Sequence, residues 1–355
     1  MLPDKRKLYP KKFHLLTSLL GILAVFLCSG AFYFAHFFTE REYSDRLGDI
    51  HADNRNTARI VEENVRLMLS QADHILQMLK LDVEQYGAIP PEHRDLLAEK
   101  LTSSMFDQFA VADRDGNLTY SAVPLAAPIN ISDREHFWTH AASDTKRPII
   151  ATPLTGRATG TANIYISRRV NDQEGRFAGI VSVGLDQNYL AGVYSRLELS
   201  PDYVILLLRR DGEMLARIPS NNPVYPYNRR YESHVVFQEI AQGRTAGNYE
   251  SGSPLSDGVS RMGAYRAMSD YPLIVITAVS RETALQPIMA RLNMYWTIAG
   301  LLCALVLISL FFIWIQIKNY FQVARLQEQE AAAALRRREE EVEYLSLYDP
   351  LTRLL

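Results

Sequence analysis

The sequence predicts an α+β protein in which two tandem antiparallel-sheet modules stand on a long N-terminal helix. Two transmembrane helices flank this segment, and a helical linker with coiled-coil character follows. Three observations predict this plan: two long stretches carry almost no charge, the segment after the first has helical periodicity, and a strand-turn-strand pattern occurs twice. The net charge of −2 over 355 residues gives no sign of a nucleic-acid partner.

The two uncharged stretches are long enough to cross a membrane. They are 15–38, "LLTSLLGILAVFLCSGAFYFAHFF", and 292–317, which contains "MYWTIAGLLCALVLISLFFIWIQI". A helix needs about 20 apolar residues to cross about 30 Å of hydrocarbon. The first stretch is too long for the apolar region of a signal peptide, and no small-residue cleavage site follows it. We therefore predict an uncleaved anchor and a second span.

Charge sets the predicted orientation of these spans. Residues 1–14 are basic, so the positive-inside rule places the N-terminus in the cytoplasm, and a second span returns the chain to that side. Residues 39–291 then lie outside and 318–347 form a cytoplasmic linker. Both cysteines, Cys28 and Cys303, fall inside the spans, so the outer segment must fold without disulfides.

The outer segment begins with helical periodicity from Glu40 to about Tyr86, and a shorter helix is expected over 91–102. Strand-turn-strand patterns follow in "FDQFAVADRDGNLTYSA" and "YVILLLRRDGEMLARI". They divide the segment into a distal module, about 88–190, and a proximal module, about 200–282. After the first strand-turn-strand, "ISDREHFWTHAA" predicts a helix capped by Ser132 or Asp133.

Two apparent motifs do not fit the chemistry they suggest. Asp113, Asp115 and Asn117 have the spacing of calcium ligands, but the glycine is misplaced for an EF-hand and position twelve is Pro124 rather than Glu. A plain hairpin is the better interpretation. "TGRATGTA" lacks the Lys-Ser/Thr pair of a phosphate-binding loop. We expect no metal site and no catalysis in this chain.

Four segments together resemble the periplasmic double-Cache sensor domains of bacterial signalling proteins, whose modules are PAS-like. They are "ISDREHFW", "TGTANIYISRRVNDQEGRFAGIVSVGLD", "LLLRRDGEMLAR" and "GAYRAMSDYPLIVITAVS". The resemblance, with the flanking spans, covers nearly the whole chain. It implies a two-pass protein of the bacterial inner membrane with a periplasmic sensor for a small molecule and cytoplasmic termini.

The last residues, 348–355, read "YDPLTRLL" and resemble the opening of a GGDEF domain. One position departs from that pattern, since Arg353 stands where the family most often has Gly. The resemblance implies that the sensor controls a diguanylate cyclase, which makes cyclic di-GMP from GTP. Mg²⁺ and GTP would belong to that cyclase domain, and this chain itself is expected to hold no cofactor.

The resemblance also implies a ligand pocket in the distal module, between the sheet and a capping helix. Carried over to this sequence, its lining comprises six residues: Arg134, Phe137, Trp138, Tyr165, Ser167 and Asp186. Arg134 could bind an anion and Asp186 an ammonium group, and the aromatic rings could form a wall that excludes water. Amino-acid-binding members carry Arg two residues before a Trp-Tyr pair, whereas this chain has Glu135 before Phe137, which disfavours an amino acid.

Each of these residues also has a structural interpretation. Phe137 and Trp138 could be core residues, Arg134 could pair with its acidic neighbours on the surface, and Asp186 could cap the following helix. Tyr165 is open between the two roles. In the proximal module, Arg217 and Arg266 could line a second pocket or serve the fold alone.

The linker predicts a dimer. Six residues fit the a and d positions of one heptad frame: Phe321, Ala324, Ala331, Leu335, Val342 and Leu345. A solvated single helix is the alternative. Two other functional classes remain open: a histidine kinase sensor, which would need an H-box although the linker contains no His, and a stand-alone membrane binding protein.

Overall fold

The computed structural model describes residues 5–101, 105–194, 199–200, 202–219, 231–251 and 259–347. The predicted opening of a GGDEF domain, 348–355, lies outside these residues. The helices are α1 (Lys5–Tyr86), α2 (Pro91–Leu101), α3 (Glu135–Ala142), α4 (Gln187–Tyr194), α5 (Val235–Ala241) and α6 (Arg281–Leu347). The distal strands are β1 (Phe106–Asp113), β2 (Leu118–Ser121), β3 (Ile149–Ile150), β4 (Leu154–Thr155), β5 (Ala162–Asn171) and β6 (Phe177–Asp186). The proximal strands are β7 (Val204–Arg209), β8 (Met214–Ile218), β9 (Ala246–Ser251), β10 (Arg261–Ala267) and β11 (Leu273–Ser280).

The predicted α+β fold class, with two antiparallel modules, is confirmed. The distal sheet has the order β2-β1-β6-β5-β3, with β4 also paired to β5, and the proximal sheet has the order β8-β7-β11-β10-β9. The predicted hairpin at Asp113 is also confirmed. Its Oδ1 accepts the backbone N–H groups of Asp115 and Asn117 at 3.0 and 2.9 Å, so the carboxylate is used to close the turn.

One compact unit comprises Arg46–Pro287, and within it α1 supports both sheets. Asp73 accepts two hydrogen bonds from Arg168 of β5, at 2.6 and 2.9 Å. Glu62 pairs with Arg266 of β10, so this arginine serves the attachment of α1. The other arginine proposed for a second pocket, Arg217, is buried and donates to Pro219 O at 2.8 Å.

The apolar centre of this unit lies where α1 meets the two sheets. Val65, Met68 and Leu69 of α1 surround a cavity of about 10 Å³ together with Ile164 of the distal sheet and Leu207 of the proximal sheet. A space of that size holds at most one water molecule, so the junction is closely packed. One helix, α1, therefore packs against one face of both sheets and leaves their other faces uncovered by it.

The second unit, Met1–Asp45 with Ile288–Leu355, contains the two apolar segments. α1 and α6 each hold a stretch long and apolar enough to cross a membrane, with mean hydropathies of 2.2 and 2.8. The stretches pack antiparallel, since Phe13 meets Phe321 at 5.7 Å between ring centroids and Phe38 meets Tyr295 at 5.9 Å. Most of their remaining apolar side chains are exposed.

Each module buries a histidine against a tyrosine of its sheet. His136 of α3 stacks on Tyr165 at 5.0 Å between ring centroids, and His234, which caps α5, meets Tyr249 edge-on at 4.9 Å. Burial lowers the pKa of His136 to about 3, with the charges of Arg134 and His140 adding to the effect and that of Asp133 opposing it. Burial lowers the pKa of His140 and of His234 to about 4. All three are neutral in the folded protein near pH 7.

These shifts predict acid sensitivity. Below the ordinary histidine pKa of about 6.5, each of these histidines is protonated in the unfolded chain but stays neutral in the folded chain. Each one therefore lowers the free energy of unfolding by about 1.4 kcal/mol for every pH unit below that value. His136→Gln removes one such group. We expect the free energy of unfolding of wild type to fall more steeply than that of the variant between pH 6.5 and 4.5, by about 2 kcal/mol over the interval. Urea unfolding in detergent at several pH values measures this, and parallel curves would contradict it.

Candidate functional site

The distal module contains a cavity between its sheet and the segment that opens α3. Gln108, Ala110, Tyr165 and Ser182 form its floor on the sheet, and Arg134, His136, Arg157 and Ala158 cover it. Leu118, Ile129, Ile131 and Leu154 supply an apolar side. The cavity measures about 20 Å³, which is room for one water molecule. A larger ligand therefore requires movement of the cover.

The sheet side of this cavity follows from strand alternation. Tyr165 and Ser167 face α3, whereas Ile164 before them and Arg168 after them face α1. Tyr165 donates from its hydroxyl to Gln108 Oε1 at 2.8 Å. Burial raises the pKa of Tyr165, so the hydroxyl keeps its proton. The floor thus presents neutral hydrogen-bonding groups.

The cover contains two arginines in different states. Arg157, from the loop between β4 and β5, donates to both carboxylate oxygens of Asp133 at 2.8 Å and also to Asn130 O. This fork lowers the pKa of Asp133. Arg134 is half-buried and lines the cavity, and its guanidinium has no hydrogen bond or ion pair with any other residue that the structure describes. Its positive charge is the uncompensated charge of the site.

His136 completes the cover as a neutral polar group. Its side chain is 2% exposed, and Nδ1 has no hydrogen-bond partner among the described residues. The ring stacks on Tyr165 with the two ring planes 9° apart, so one aromatic group lies over the other. Because burial keeps the imidazole neutral, it adds no second charge beside Arg134.

The expected cap of α3 was wrong. Arg134 is the residue before the helix, in extended conformation and without a side-chain cap bond, while Ser132 donates its hydroxyl to Asn130 Oδ1 at 2.6 Å. The Asp133 carboxylate is occupied by Arg157, which outcompetes the free N–H groups of the helix because the pair is charged and bidentate. As a result Arg134 stands at the mouth of the cavity.

Of the six predicted lining residues, the structure brings Arg134 and Tyr165 together at the cavity. Phe137 packs in a cluster with Ala112, Ile131 and Ile180, and its ring meets Phe177 at 5.5 Å between centroids. Trp138, one residue further along the helix, is 52% exposed. A helix turns by about 100° per residue, so neighbours in sequence cannot share one face.

Ser167 and Asp186 lie beside the cavity rather than on it. Ser167 is fully buried under α3, where it donates to His136 O at 3.3 Å and lies 3.1 Å from His140 Nε2. Asp186 ends β6 and accepts the N–H of Asn188 at 2.8 Å, which fits the interpretation as a cap of α4. Burial raises the pKa of the nearby Asp107, and the charge of Asp186 adds to the shift.

Sequence reasoning missed Gln108, His136, Arg157 and Ser182. Gln108 and Ser182 are polar residues inside otherwise apolar strands, a signal that period-two alternation offers. His136 lies between two residues that were singled out. Arg157 stands in a loop whose path over the sheet no local pattern indicates.

Similar solved structures are sensor domains of receptors. The extracellular domain of the putative histidine kinase rpHK1S-Z16 is 28% identical, with a TM-score of 0.59, and the match covers 66% of this chain and 95% of that one. The periplasmic sensory domain of the Campylobacter jejuni chemoreceptor Tlp1 is 10% identical, with a TM-score of 0.52 and coverages of 68% and 99%. The ligand-binding domain of the Pseudomonas aeruginosa PAO1 chemoreceptor PctB, in complex with L-Gln, is 18% identical, with a TM-score of 0.49 and coverages of 65% and 91%.

No curated protein matches the chain. The model of a family described as "Cache domain" matches residues 47–288, more than half of the chain and most of the outer segment. With the two antiparallel modules on one long helix, this match shows that the chain belongs to the Cache domain family of extracellular ligand-binding sensors.

Proposed function

We propose that the protein is a two-pass sensor of the bacterial inner membrane that binds a small anionic ligand in the distal cavity. The observation that carries the ligand class is the half-buried Arg134, which lines the cavity and has no partner in the described part of the chain. A charge removed from water without a partner is unfavourable, and an anion would supply the missing partner. Charged hydrogen bonds to a guanidinium contribute about 1.5 to 3 kcal/mol each.

The rest of the cavity limits the ligand to a compact molecule with an apolar part. Gln108, Tyr165 and Ser182 offer neutral polar contacts, and four aliphatic side chains form the opposite side. Among the lining residues no acidic side chain is present to hold an ammonium group, and Asp186 lies outside the lining. The ligand class that fits is a small carboxylate. Its entry would displace the loop that Arg157 ties to Asp133.

A binding test follows directly. We expect that at least one of acetate, propionate, succinate, benzoate and inorganic phosphate raises the unfolding temperature of the full chain in detergent. Arg134→Ala should weaken that binding by about 10- to 100-fold, because the charged hydrogen bonds are lost. Arg134→Lys should lie between, since an ammonium group cannot form the planar fork.

The matched control is Arg176→Ala, in the turn between β5 and β6, whose side chain is 71% exposed. It changes the net charge of the module by the same amount and should leave binding unaffected. Equal loss in both variants would mean a general charge effect. Anion binding that survives in Arg134→Ala would contradict the assignment.

We further propose that the sensor works as a homodimer in which α1 packs against α1 of a second copy. Ile60, Leu67 and Leu81 are 50%, 61% and 63% exposed on the face of α1 turned away from the sheets. Ile60 and Leu67 are seven residues apart and Leu81 lies fourteen residues further on, with His74 at the intermediate position. Asn64 and Gln71 fall four residues after Ile60 and Leu67. A seam of exposed apolar residues at heptad spacing is typical of two-stranded coiled coils, in which a polar residue at an a position can specify register. The heptads of the linker would continue the pairing on the cytoplasmic side.

Cross-linking tests the dimer. After Cys28 and Cys303 are replaced by Ser, we expect Leu67→Cys to form an intermolecular disulfide in membranes under mild oxidation. Leu96→Cys is the matched control, because Leu96 is also an exposed leucine, 37%, but lies on α2. Equal cross-linking at both positions, or none at Leu67→Cys, would contradict the proposed seam.

For the output we propose a diguanylate cyclase, which the likeness of 348–355 to the start of a GGDEF domain supports. Two such domains must meet to join two GTP molecules, so a dimeric linker is a natural point of control. A second candidate is a histidine kinase, favoured by the similarity to the domain of rpHK1S-Z16. The linker 318–347 contains no His, which disfavours that candidate.

The two outputs differ in the reaction they catalyse. We expect the complete gene product in membranes to convert GTP and Mg²⁺ into cyclic di-GMP. Incubation with ATP should leave no acid-labile phosphoryl group on histidine. Phosphohistidine without cyclic di-GMP would instead establish the kinase.

A further inference from the structure

Three consecutive charged residues at the start of α3 have three different environments. Asp133 is held within the distal module by Arg157, and Arg134 lines the cavity. Glu135 reaches out of the distal module: its Oε1 accepts a hydrogen bond from Arg209 Nη1, at the end of β7, at 2.7 Å. The residue next to the uncompensated arginine is therefore attached to the proximal module.

This contact is fixed on both sides. Glu135 Oε2 accepts the N–H and the hydroxyl of Thr152 at 2.9 and 3.0 Å. Arg209 Nη1 also donates to Ile150 O at 3.0 Å, and the rest of its guanidinium holds Asp211 at 2.6 to 2.9 Å. Because these polar atoms are all hydrogen-bonded, a movement of the Glu135 backbone cannot be taken up by a free rotation of either side chain.

The pair is also largely removed from solvent. The side chains of Glu135 and Arg209 are 24% and 14% exposed. Burial by itself lowers the pKa of Arg209, but the hydrogen bonds with Asp211 and Glu135 outweigh it, and the net pKa lies above the ordinary value. Such a pair interacts more strongly than an ion pair at an open surface, because solvent screens it less.

On the proximal side, Arg209 belongs to the part of the sheet that leads to α6. Arg209 pairs with Leu273, the first residue of β11, and the next residue, Arg210, donates its N–H to Pro272 O at 2.8 Å. β11 ends at Ser280 and α6 begins at Arg281, with no residue between them. The contacts of Arg209 and Arg210 thus reach the first residue of β11, and the chain runs from the end of that strand directly into the helix that holds the second apolar segment.

We propose that Glu135 is a positioning residue that orients Arg134 in the cavity and, through Arg209, transmits a change at the cavity to β7 and β11. Arg134 and Glu135 share one peptide unit, so a ligand that draws the guanidinium toward itself also moves the backbone of Glu135. The two fixed carboxylate oxygens pass that movement to Arg209. The inference rests on the proposed function only for the statement that a ligand occupies this cavity.

The test measures coupling without a ligand, by amide hydrogen exchange of the full chain in phospholipid nanodiscs. Arg134→Ala perturbs the cavity, and the exchange of the Arg210 amide and of β11 reports on the proximal module. We expect Arg134→Ala to change this exchange by at least about threefold, as coupled residues do. In a Glu135→Gln background, which keeps the side-chain shape but removes the charge, Arg134→Ala should leave the exchange of the Arg210 amide and of β11 almost unchanged.

Asp144→Asn is the matched control, since it removes an acidic charge just after α3, where the side chain is 64% exposed and lies 3.7 Å from Arg169 rather than on the cavity. In that background the effect of Arg134→Ala on the proximal module should persist. Arg209→Gln cuts the pair from the other side and should abolish the effect as Glu135→Gln does, which keeps the test valid if one of the two variants fails to fold.

An equal response in the wild-type and Glu135→Gln backgrounds would overturn the proposal, and so would no response in wild type. Loss of coupling in the Asp144→Asn background as well would also overturn it, because the effect would then not be specific to the pair. Failure of the anions to bind would contradict the ligand class while leaving this result unaffected, so the two proposals can be judged separately.

Discussion

The attachment of both sheets to one face of α1 is the constraint on which the outer segment depends. Without disulfides, the segment is held by apolar burial and by a few ion pairs along this helix. Val65, Met68 and Leu69 meet residues of both sheets, while Asp73 and Glu62 each bind one arginine of a different module. Because α1 stabilises β5 from one face, the residues on the other face of β5 can line a cavity without also having to stabilise the module.

The distal cavity shows how charge is distributed once that support exists. Burial keeps His136 neutral, Tyr165 keeps its proton, and Asp133 is neutralised by Arg157, so that among the described lining residues the guanidinium of Arg134 is left without an ion-pair partner. In the proposed site, this charge in neutral surroundings would select by charge, because a cation or a large neutral molecule would leave the guanidinium unpaired. The proximal module repeats the histidine–tyrosine contact, but its arginines serve attachment: Arg266 binds α1, and Arg209 binds the distal module.

The same acidic and basic residues that looked equivalent in the sequence thus have distinct tasks. Asp133, Arg134 and Glu135 read as one polar cluster before a helix, and an ion cluster on the surface was one interpretation of Arg134. The structure separates them because each points to a different neighbour: a loop of the same module, the cavity, and the last residue of β7. The partners, Arg157 and Arg209, are 24 and 74 residues away from Asp133 and Glu135. No local pattern relates residues at such distances.

Periodicity by itself determined the helices, the strands, the two hairpins and the apolar spans, because these depend on contacts between residues close in sequence or on alternation along one element. Resemblance to the Cache family added the expectation of a pocket between sheet and helix, and Arg134 and Tyr165 line the cavity found there. Only the tertiary structure decided that Phe137 packs in the core, that Trp138 is exposed and that Ser167 and Asp186 stand aside. Asp133, Arg134 and Glu135 are neighbours in sequence, but Asp133 and Glu135 bind arginines 24 and 74 residues further along the chain. Where these side chains lie therefore depends on contacts between distant residues, which the sequence of the helix does not contain.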